Sequence, residues 1–174
     1  MTLTKNYQKL AETKLGNSYG DLYIRLYAMY TEQDEDNAKT KVYYQARAYF
    51  SGNSYILDGG GTGNVSGTGA STVNGDCKGN VTTSEVVIAT TSGWVSHNED
   101  GTGSITASAY LNYPNWGWSG TATATADLPL IDVGTIRLGA NGTYKKCKAY
   151  LGVNGVWKKC KAYLGVNGTW KKGI

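Results

Sequence analysis

The sequence is poor in the residue types from which catalytic and metal sites are usually built. It contains one histidine, His97, and three cysteines among 174 residues. An odd number of cysteines with no Cys-x-x-Cys motif argues against a disulfide framework and against a structural zinc site. No nucleophile elbow is present either. We therefore expect a protein without enzymatic activity that holds no metal and no cofactor.

Long apolar runs are also missing. No segment approaches the roughly 20 apolar residues of a membrane-spanning helix. The N-terminal stretch MTLTKNYQKL lacks the apolar core of a signal peptide. We therefore expect a chain that is made in the cytoplasm and does not associate with a membrane.

Tyrosine, tryptophan and glycine are abundant instead. The chain has 14 Tyr, 5 Trp and 24 Gly, but only 1 Phe and 2 Pro. Tyr and Trp combine an apolar body with a polar tip, which suits partly hydrated surfaces and interfaces. This composition, rich also in Thr and Val, is typical of β-structure with many tight turns.

Alternation of apolar and polar residues predicts strands in the first three quarters of the chain. Asp21–Thr31 and Thr40–Ser51 both alternate with period 2, as half-buried strands do. Asp100-Gly101 predicts a hairpin turn, and Thr4–Lys14 is the one segment that fits a short helix. Roughly eight strands predict a β-sandwich or a jelly roll. The remaining predicted strands are Ser54–Asp58, 65–73, Glu85–Val95, Gly103–Tyr113 and Thr121–Leu128.

The C-terminal part repeats one phrase with a period of 13 residues: LGANGTYKKCKAY, LGVNGVWKKCKAY and LGVNGTWKK. Asn-Gly between apolar residues is the strongest short-range signal for a hairpin, because a type I′ turn needs positive φ at both central positions. The repeats therefore predict an antiparallel β-meander in which each aromatic faces a glycine. The predicted turn residues are Asn141, Gly142, Asn154, Gly155, Asn167 and Gly168.

The predicted meander has two different faces. One is mostly apolar and can dock on the N-terminal domain or on another subunit. It includes Cys147 and Cys160, which we interpret as small apolar fillers rather than a linked or reactive pair. The other is an aromatic and lysine face suited to subunit assembly, to an anionic polymer, or to solvent. Its residues are Tyr144, Lys146, Lys148, Tyr150, Trp157, Lys159, Lys161, Tyr163, Trp170 and Lys172.

The sign of the net charge changes where the repeat region begins. Residues 1–130 carry 8 basic and 12 acidic side chains, a net charge of −4, and residues 131–174 carry 9 basic and 1 acidic, a net charge of +8. The total is the +4 of the whole chain. We therefore predict a β-sandwich domain over 1–130 and a basic hairpin-repeat tail over 131–174. The opposite signs favour contact between the tail and the acidic part of a neighbouring subunit.

Several short motifs have both a functional and a purely structural interpretation. In NYPNWGW, Tyr113, Trp116 and Trp118 are candidates for stacking on sugar rings, or they plug one end of the sandwich. His97 beside Glu99 and Asp100 is a candidate general base, but a polar turn explains these residues better.

Three other motifs favour structural roles. Lys78 is in a position to lower the pKa of Cys77, which we nevertheless interpret as structural. The acidic stretches 32–37 and 98–103 lack EF-hand spacing and are interpreted as solvated turns. The stretch GGGTGNVSGTG lacks a phosphate-loop lysine, so it predicts a flexible loop or an irregular strand edge.

The chain resembles a family of minor structural, tail-associated proteins of siphophages that infect Gram-positive hosts. The residues that carry the resemblance are LYIRLYA at 22–28, GWVSHNEDGTGSITASAYL at 93–111, TATATADLPLI at 121–131 and the C-terminal repeats. The phrase V-x-H-N-x-D-G-T is its most specific element. The likeness is loose over residues 1–92 and closer after Gly93. The resemblance implies a structural or adhesion role in a virion, without enzymatic activity.

Together these observations lead to one functional expectation with two alternatives. We expect a self-assembling virion component of the tail, baseplate or fibre that contributes to host attachment. The alternatives are a capsid-surface decoration or head-fibre protein, and an adhesin module that recognises cell-wall glycan. Expected partners are further copies of the chain, for example in a trimer, other virion proteins and host cell-wall polysaccharide, but not nucleic acid.

Overall fold

A computed structural model describes residues 1–16, 21–51, 55–81, 85–132, 136–140, 143–147, 149–160, 163–166 and 169–172. The chain is all-β, as predicted, with one short 3-10 helix, Pro114–Trp116, among these residues. The first eight strands are β1 (Gln8–Gly16), β2 (Asp21–Asp34), β3 (Lys39–Ser51), β4 (Tyr55–Gly67), β5 (Ala70–Val81), β6 (Val86–Ser96), β7 (Ser104–Tyr113) and β8 (Trp118–Asp127). The others are β9 (Ile136–Ala140), β10 (Thr143–Cys147), β11 (Ala149–Val153), β12 (Val156–Cys160), β13 (Tyr163–Val166) and β14 (Thr169–Lys172).

Strands β1–β8 form two antiparallel four-stranded sheets. Sheet I has the order β1-β2-β3-β6 and sheet II the order β5-β4-β7-β8. Counted from β2, this is the A-B-E and C′-C-F-G strand order of an immunoglobulin-like sandwich, with β1 added at one edge. The sandwich prediction is confirmed, whereas the jelly-roll alternative is not supported by this order.

The core lies between the two sheets and is built by the predicted alternation. Every second residue of β2, from Leu22 to Ala28, is fully buried, and β3 contributes Val42, Tyr44 and Ala46 in the same way. Period 2 turns these side chains to one face, so each strand buries one row and exposes the other. Sheet II supplies the opposing row, which includes Val65, Ile105, Ala107, Ala109, Leu111 and Ala122.

The N-terminal segment holds the two sheets together at one end. The Leu3 N–H donates to the carbonyl of Asp127 in β8 at 2.9 Å, and the Tyr30 N–H of β2 donates to the carbonyl of Thr4 at 3.0 Å. The Leu3 side chain is buried in the core. The first four residues therefore link β2 of sheet I to β8 of sheet II, and Leu3 covers the core at that end.

Besides the single strand predicted over 65–73, which the turn at Thr68-Gly69 divides between β4 and β5, three sequence predictions for this unit are wrong. Thr4–Lys14 is not helical, because Gln8–Gly16 pairs with β2 as β1. Asp100-Gly101 does not join a hairpin, because β6 pairs with β3 while β7 pairs with β4 and β8. That connection instead crosses from sheet I to sheet II.

The glycine-rich stretch is the third correction, because it is a central strand and not a loop. Residues 59–67 belong to β4, which lies between β5 and β7. A Cβ on Gly67 would lie 2.6 Å from the ring of Tyr44, and one on Gly61 would lie 2.5 Å from the ring of Tyr113. The glycines therefore make room for two buried tyrosines, which local propensity alone does not reveal.

The chain divides into two compact units, Met1–Ile131 and Asp132–Ile174. This division lies one residue beyond the boundary expected from charge and repeats. No helix in the described part of the chain combines the length and hydropathy needed to cross a membrane.

The second unit contains three two-stranded antiparallel sheets, β9-β10, β11-β12 and β13-β14. The pairing of Tyr144 with Gly139, Trp157 with Gly152 and Trp170 with Gly165 is as predicted. At the middle turn, Asn154 has φ 52° and Gly155 φ 77°, the positive values that a type I′ turn needs. The other predicted turn residues, Asn141, Gly142, Asn167 and Gly168, lie outside the described residues.

The predicted continuous meander is not what the described strands form. Each predicted long strand is divided in two: β10 pairs backward with β9, and β11 pairs forward with β12. Strands β10, β11 and β12 have five residues each, close to the usual length of about 5–6, whereas the predicted strands had 11. Of the predicted aromatic and lysine face, Lys148 and Lys161 lie outside the described residues.

Candidate functional site

The outward row of sheet I forms a cluster that we call the arginine–tyrosine face: Tyr23, Arg25 and Tyr27 of β2 with Arg47 and Tyr49 of β3. Arg25 is directly opposite Arg47 in the register. Each guanidinium stacks on the diagonal neighbour across the strand pair. The carbon of the Arg25 guanidinium lies 3.8 Å from the Tyr49 ring centre, and that of Arg47 lies 4.1 Å from the Tyr27 ring centre. Cation–π stacking therefore orders both arginines.

Glu85 bridges the two opposed arginines. Like charges directly opposite on a sheet are destabilising, but the Glu85 carboxylate accepts hydrogen bonds from Arg25 Nη1 at 2.7 Å and from Arg47 Nη1 at 2.9 Å. It also accepts one from the Tyr27 hydroxyl at 2.5 Å. Glu85 directly precedes β6, so this carboxylate links the start of β6 to β2 and β3.

The electrostatics of Glu85 reflect two opposing effects. Burial alone would raise the pKa of its carboxyl, but the hydrogen bonds from Tyr27, Arg25 and Arg47 favour the ionised form and hold the pKa below its usual range. Burial and the adjacent carboxylate raise the pKa of Tyr27 to about 12. At neutral pH, Glu85 is therefore ionised and Tyr27 is a neutral donor.

The remaining donors of the arginine–tyrosine face also have partners within the sheet. Arg25 Nε donates to Glu12 at 2.6 Å. Arg47 Nε and Nη2 donate to the side-chain oxygen of Gln45 at 2.9 and 2.7 Å. Because five of the six guanidinium nitrogens already donate to side-chain oxygens of the protein, the face is not arranged as a phosphate-binding site.

The NYPNWGW segment connects β7 to β8 and contains the three predicted glycan-contact residues. Tyr113 is only 1 % exposed, and Trp118 packs against the core over Gly16, where an added Cβ would lie 2.1 Å from the indole. Trp116 is 36 % exposed, and its ring centre lies 4.8 Å from that of Trp118. Burial removes Tyr113 from the predicted set, because the strand alternation of β7 turns it inward.

His97 takes a structural position in the turn after β6. Its Nε2 lies 2.7 Å from the hydroxyl of buried Thr40, and its Nδ1 lies 2.9 Å from the carbonyl of Gly101. A carbonyl can only accept, so Nδ1 donates to it. Both ring nitrogens therefore have partners other than the predicted carboxylates Glu99 and Asp100.

The other motifs also contribute to the fold. Cys77 is buried, and burial raises the pKa of its thiol to about 11, so the lysine-activated alternative does not describe it. In the first acidic stretch, Asp34 Oδ1 accepts from the N–H groups of Asp36 and Asn37, which closes the turn after β2. Within the described ranges, no three His, Cys, Asp or Glu side chains lie close enough together to hold a metal ion.

Sequence reasoning missed the arginine–tyrosine face as a unit. Its signal is present in two strands, as Tyr-x-Arg-x-Tyr at 23–27 and Gln-x-Arg-x-Tyr at 45–49. The structure brings these two motifs together with Glu85, while the three aromatics of NYPNWGW separate into core and surface. Comparisons with protein-family models, curated proteins and solved structures find no match.

Proposed function

We propose that this chain is a non-enzymatic structural protein of a bacteriophage particle, located in the tail, baseplate or fibre. It assembles with further copies of itself and with other virion proteins. The observation that carries the proposal is that the V-x-H-N-x-D-G-T phrase, the most specific part of the family resemblance, has a structural role in the connection between the two sheets.

The His-Asn-x-Asp-Gly-Thr part of that phrase, residues 97–102, forms one turn directly after β6. The Asn98 side-chain amide donates to the Thr102 hydroxyl at 3.0 Å, and the Thr102 N–H donates to Asp100 Oδ1 at 2.9 Å. Gly101 has φ 83°, which side chains other than glycine rarely adopt. With the two contacts of His97, this turn carries the chain from sheet I to sheet II. The residues that carry the resemblance thus build the connection between the two sheets. We interpret this as support for an architectural role of the chain.

Particle composition tests the proposal. Antibodies against the chain, with immunogold electron microscopy and mass spectrometry of density-purified particles, should detect it at a fixed stoichiometry and at one position. Labelling of the capsid surface would favour the decoration or head-fibre alternative. Expression during infection with absence from purified particles would refute a virion role.

Host attachment through cell-wall glycan is the second candidate function, and Trp116 is the observation that favours it. A half-exposed indole between Pro114 and Gly117 can stack on a sugar ring. We expect Trp116→Ala to weaken binding to cell-wall polysaccharide purified from Gram-positive cells by at least about tenfold. Trp94→Ala is the matched control, because Trp94 is 40 % exposed on sheet I. Equal binding by both variants would contradict this role.

A further inference from the structure

Two Asn-Gly pairs in the described part of the chain have contrasting backbone environments. Asn154-Gly155 is the turn between β11 and β12, whereas Asn74-Gly75 lies within β5. Both asparagines are exposed to solvent, so they differ in how their backbones are held and not in access to water. The same dipeptide at 141–142 and at 167–168 lies outside the described residues.

An asparagine that precedes a glycine can lose its side-chain amide without an enzyme. The backbone nitrogen of the glycine attacks the side-chain carbonyl carbon of the asparagine, and the new C–N bond closes a five-membered succinimide ring. The amide nitrogen takes up the proton of the attacking nitrogen and leaves as ammonia. Water then opens the ring at either carbonyl and gives aspartate or isoaspartate. Glycine favours the attack because it has no Cβ to obstruct its nitrogen.

Ring closure requires rotation of the main chain at the asparagine. The glycine nitrogen and the side-chain carbon are held apart in an extended strand and in a type I′ turn alike, and they meet only when ψ of the asparagine changes. In a folded protein this rotation needs local opening, so the rate of deamidation follows the free energy of that opening. Identical dipeptides therefore react at different rates when their backbones are held with different strength.

The turn at Asn154-Gly155 opens at little cost. The pair Val153 and Val156, which closes the turn, ends a ladder of only five residue pairs. These two valines are 38 % and 58 % exposed, and among the described residues no atom lies within 4 Å of a Cβ built on Gly155. A two-stranded hairpin of this kind is marginally stable in water. The turn therefore samples open conformations often.

Asn74-Gly75 is held by neighbours from both sheets. Asn74 is opposite Asn64 and Gly75 is opposite Gly63 in the pairing of β5 with β4. The backbone of Gly75 also packs so closely on β6 that an added Cβ would overlap the carbonyl oxygen of Ile88. Rotation at this pair requires β5 to separate from β4 and from β6, which is a much larger opening than that of a hairpin turn.

We propose that Asn154 is a site of spontaneous deamidation, and that the fold protects the same dipeptide in β5. The product changes the middle hairpin in two ways. Residues 133–174 contain no Asp or Glu, so the new carboxylate is the first acidic side chain of this basic stretch. Isoaspartate also routes the main chain through its own Cβ, and the lengthened chain does not fit a two-residue type I′ turn. Deamidation thus lowers the positive charge of the stretch and removes the turn that sets the register of β11 and β12.

Timed incubation of the purified full chain at mildly alkaline pH tests the proposal. Tryptic digestion at mildly acidic pH stops the reaction and separates the two sites, since Asn154 lies in the peptide 149–158 and Asn74 in the peptide 48–78. Tandem mass spectrometry then measures both conversions in one sample, and isoaspartyl methyltransferase labelling detects isoaspartate. We expect Asn154 of the native chain to convert at least about tenfold faster than Asn74. In guanidinium chloride, which unfolds both segments, the two rates should agree within about threefold.

Gly155→Ala tests the identity of the attacking nitrogen. In guanidinium chloride, where no hairpin is present to be disturbed, the added Cβ should slow the conversion of Asn154 at least about fivefold. Gly117→Ala is the matched control, because Gly117 also has positive φ and open space around its Cβ but follows a tryptophan, and it should leave both rates unchanged. Equal rates at Asn74 and Asn154 in the native chain, a native Asn154 that does not convert, or a tenfold difference that persists after unfolding would overturn the proposal.

Discussion

Replacing Glu85 by Gln tests whether the arginine–tyrosine face stabilises the sandwich. The carboxylate accepts three hydrogen bonds, two of them from arginines. Its side chain is 21 % exposed, and those of Arg25 and Arg47 are 16 % and 21 % exposed. Hydrogen bonds to charged groups contribute about 1.5–3 kcal/mol each when buried. The partial exposure of this cluster reduces that contribution.

We expect Glu85→Gln to lower the free energy of unfolding by about 2 kcal/mol at pH 7, because the neutral amide keeps one acceptor oxygen and leaves two opposed guanidiniums less compensated. Urea unfolding of the full chain, followed by tryptophan fluorescence, measures the change. The matched control is Glu32→Gln at an exposed position of β2, which should stay within about 0.5 kcal/mol of the wild type.

The pH dependence gives an independent check on the same reasoning. The pKa of Glu85 is lower in the folded than in the unfolded chain, so its contribution is present above the unfolded pKa, near 4.5, and is lost as pH falls through the folded pKa. The difference between wild type and Glu85→Gln should therefore shrink below about pH 4. A Glu85→Gln effect no larger than that of Glu32→Gln, or one that grows in acid, would refute the proposed role.

Two further variants and one labelling experiment test the packing of the sandwich. Gly67→Ala should destabilise the chain by about 1–3 kcal/mol in urea unfolding, because its Cβ would overlap the ring of Tyr44; an unchanged midpoint would show that the ring moves aside at little cost. Leu3→Ala should cost about 2–4 kcal/mol in the same assay, whereas a neutral result would mean that the N-terminal segment does not close the core. Alkylation of Cys77 at pH 8, measured by peptide mass spectrometry, should require unfolding because the thiol is buried with a pKa of about 11; rapid labelling of the native chain would contradict this placement.

Strands β2 and β3 of sheet I were predictable because burial there follows a simple period. Leu22, Ile24 and Leu26 alternate with polar or aromatic residues, and the structure buries each of them. The turn at Asn154-Gly155 was predictable for a different reason, since positive φ at two successive positions restricts the residue choice severely. Both signals act over a few residues and need no information about distant partners.

The errors occur where a distant residue decides the outcome. The glycines of β4 have low strand propensity, but the rings of Tyr44 and Tyr113 need the space that a side chain would fill. The segment before β2 forms β1 because a sheet edge is available to it. The repeat pattern predicts one continuous meander, whereas the described strands of the second unit pair as three separate hairpins.

The sequence by itself determined the all-β class, the alternation of the main strands and the contrast in charge between the two parts of the chain, because each depends on local pattern or composition. Only the tertiary structure decided which strands share a sheet, how Glu85 lies between Arg25 and Arg47, and which aromatics of NYPNWGW reach the surface. These features depend on contacts between residues that are far apart in the chain, such as Arg25 and Glu85, which are separated by 60 positions. Local propensity does not encode such contacts, because they form only when distant strands pair and the two sheets pack.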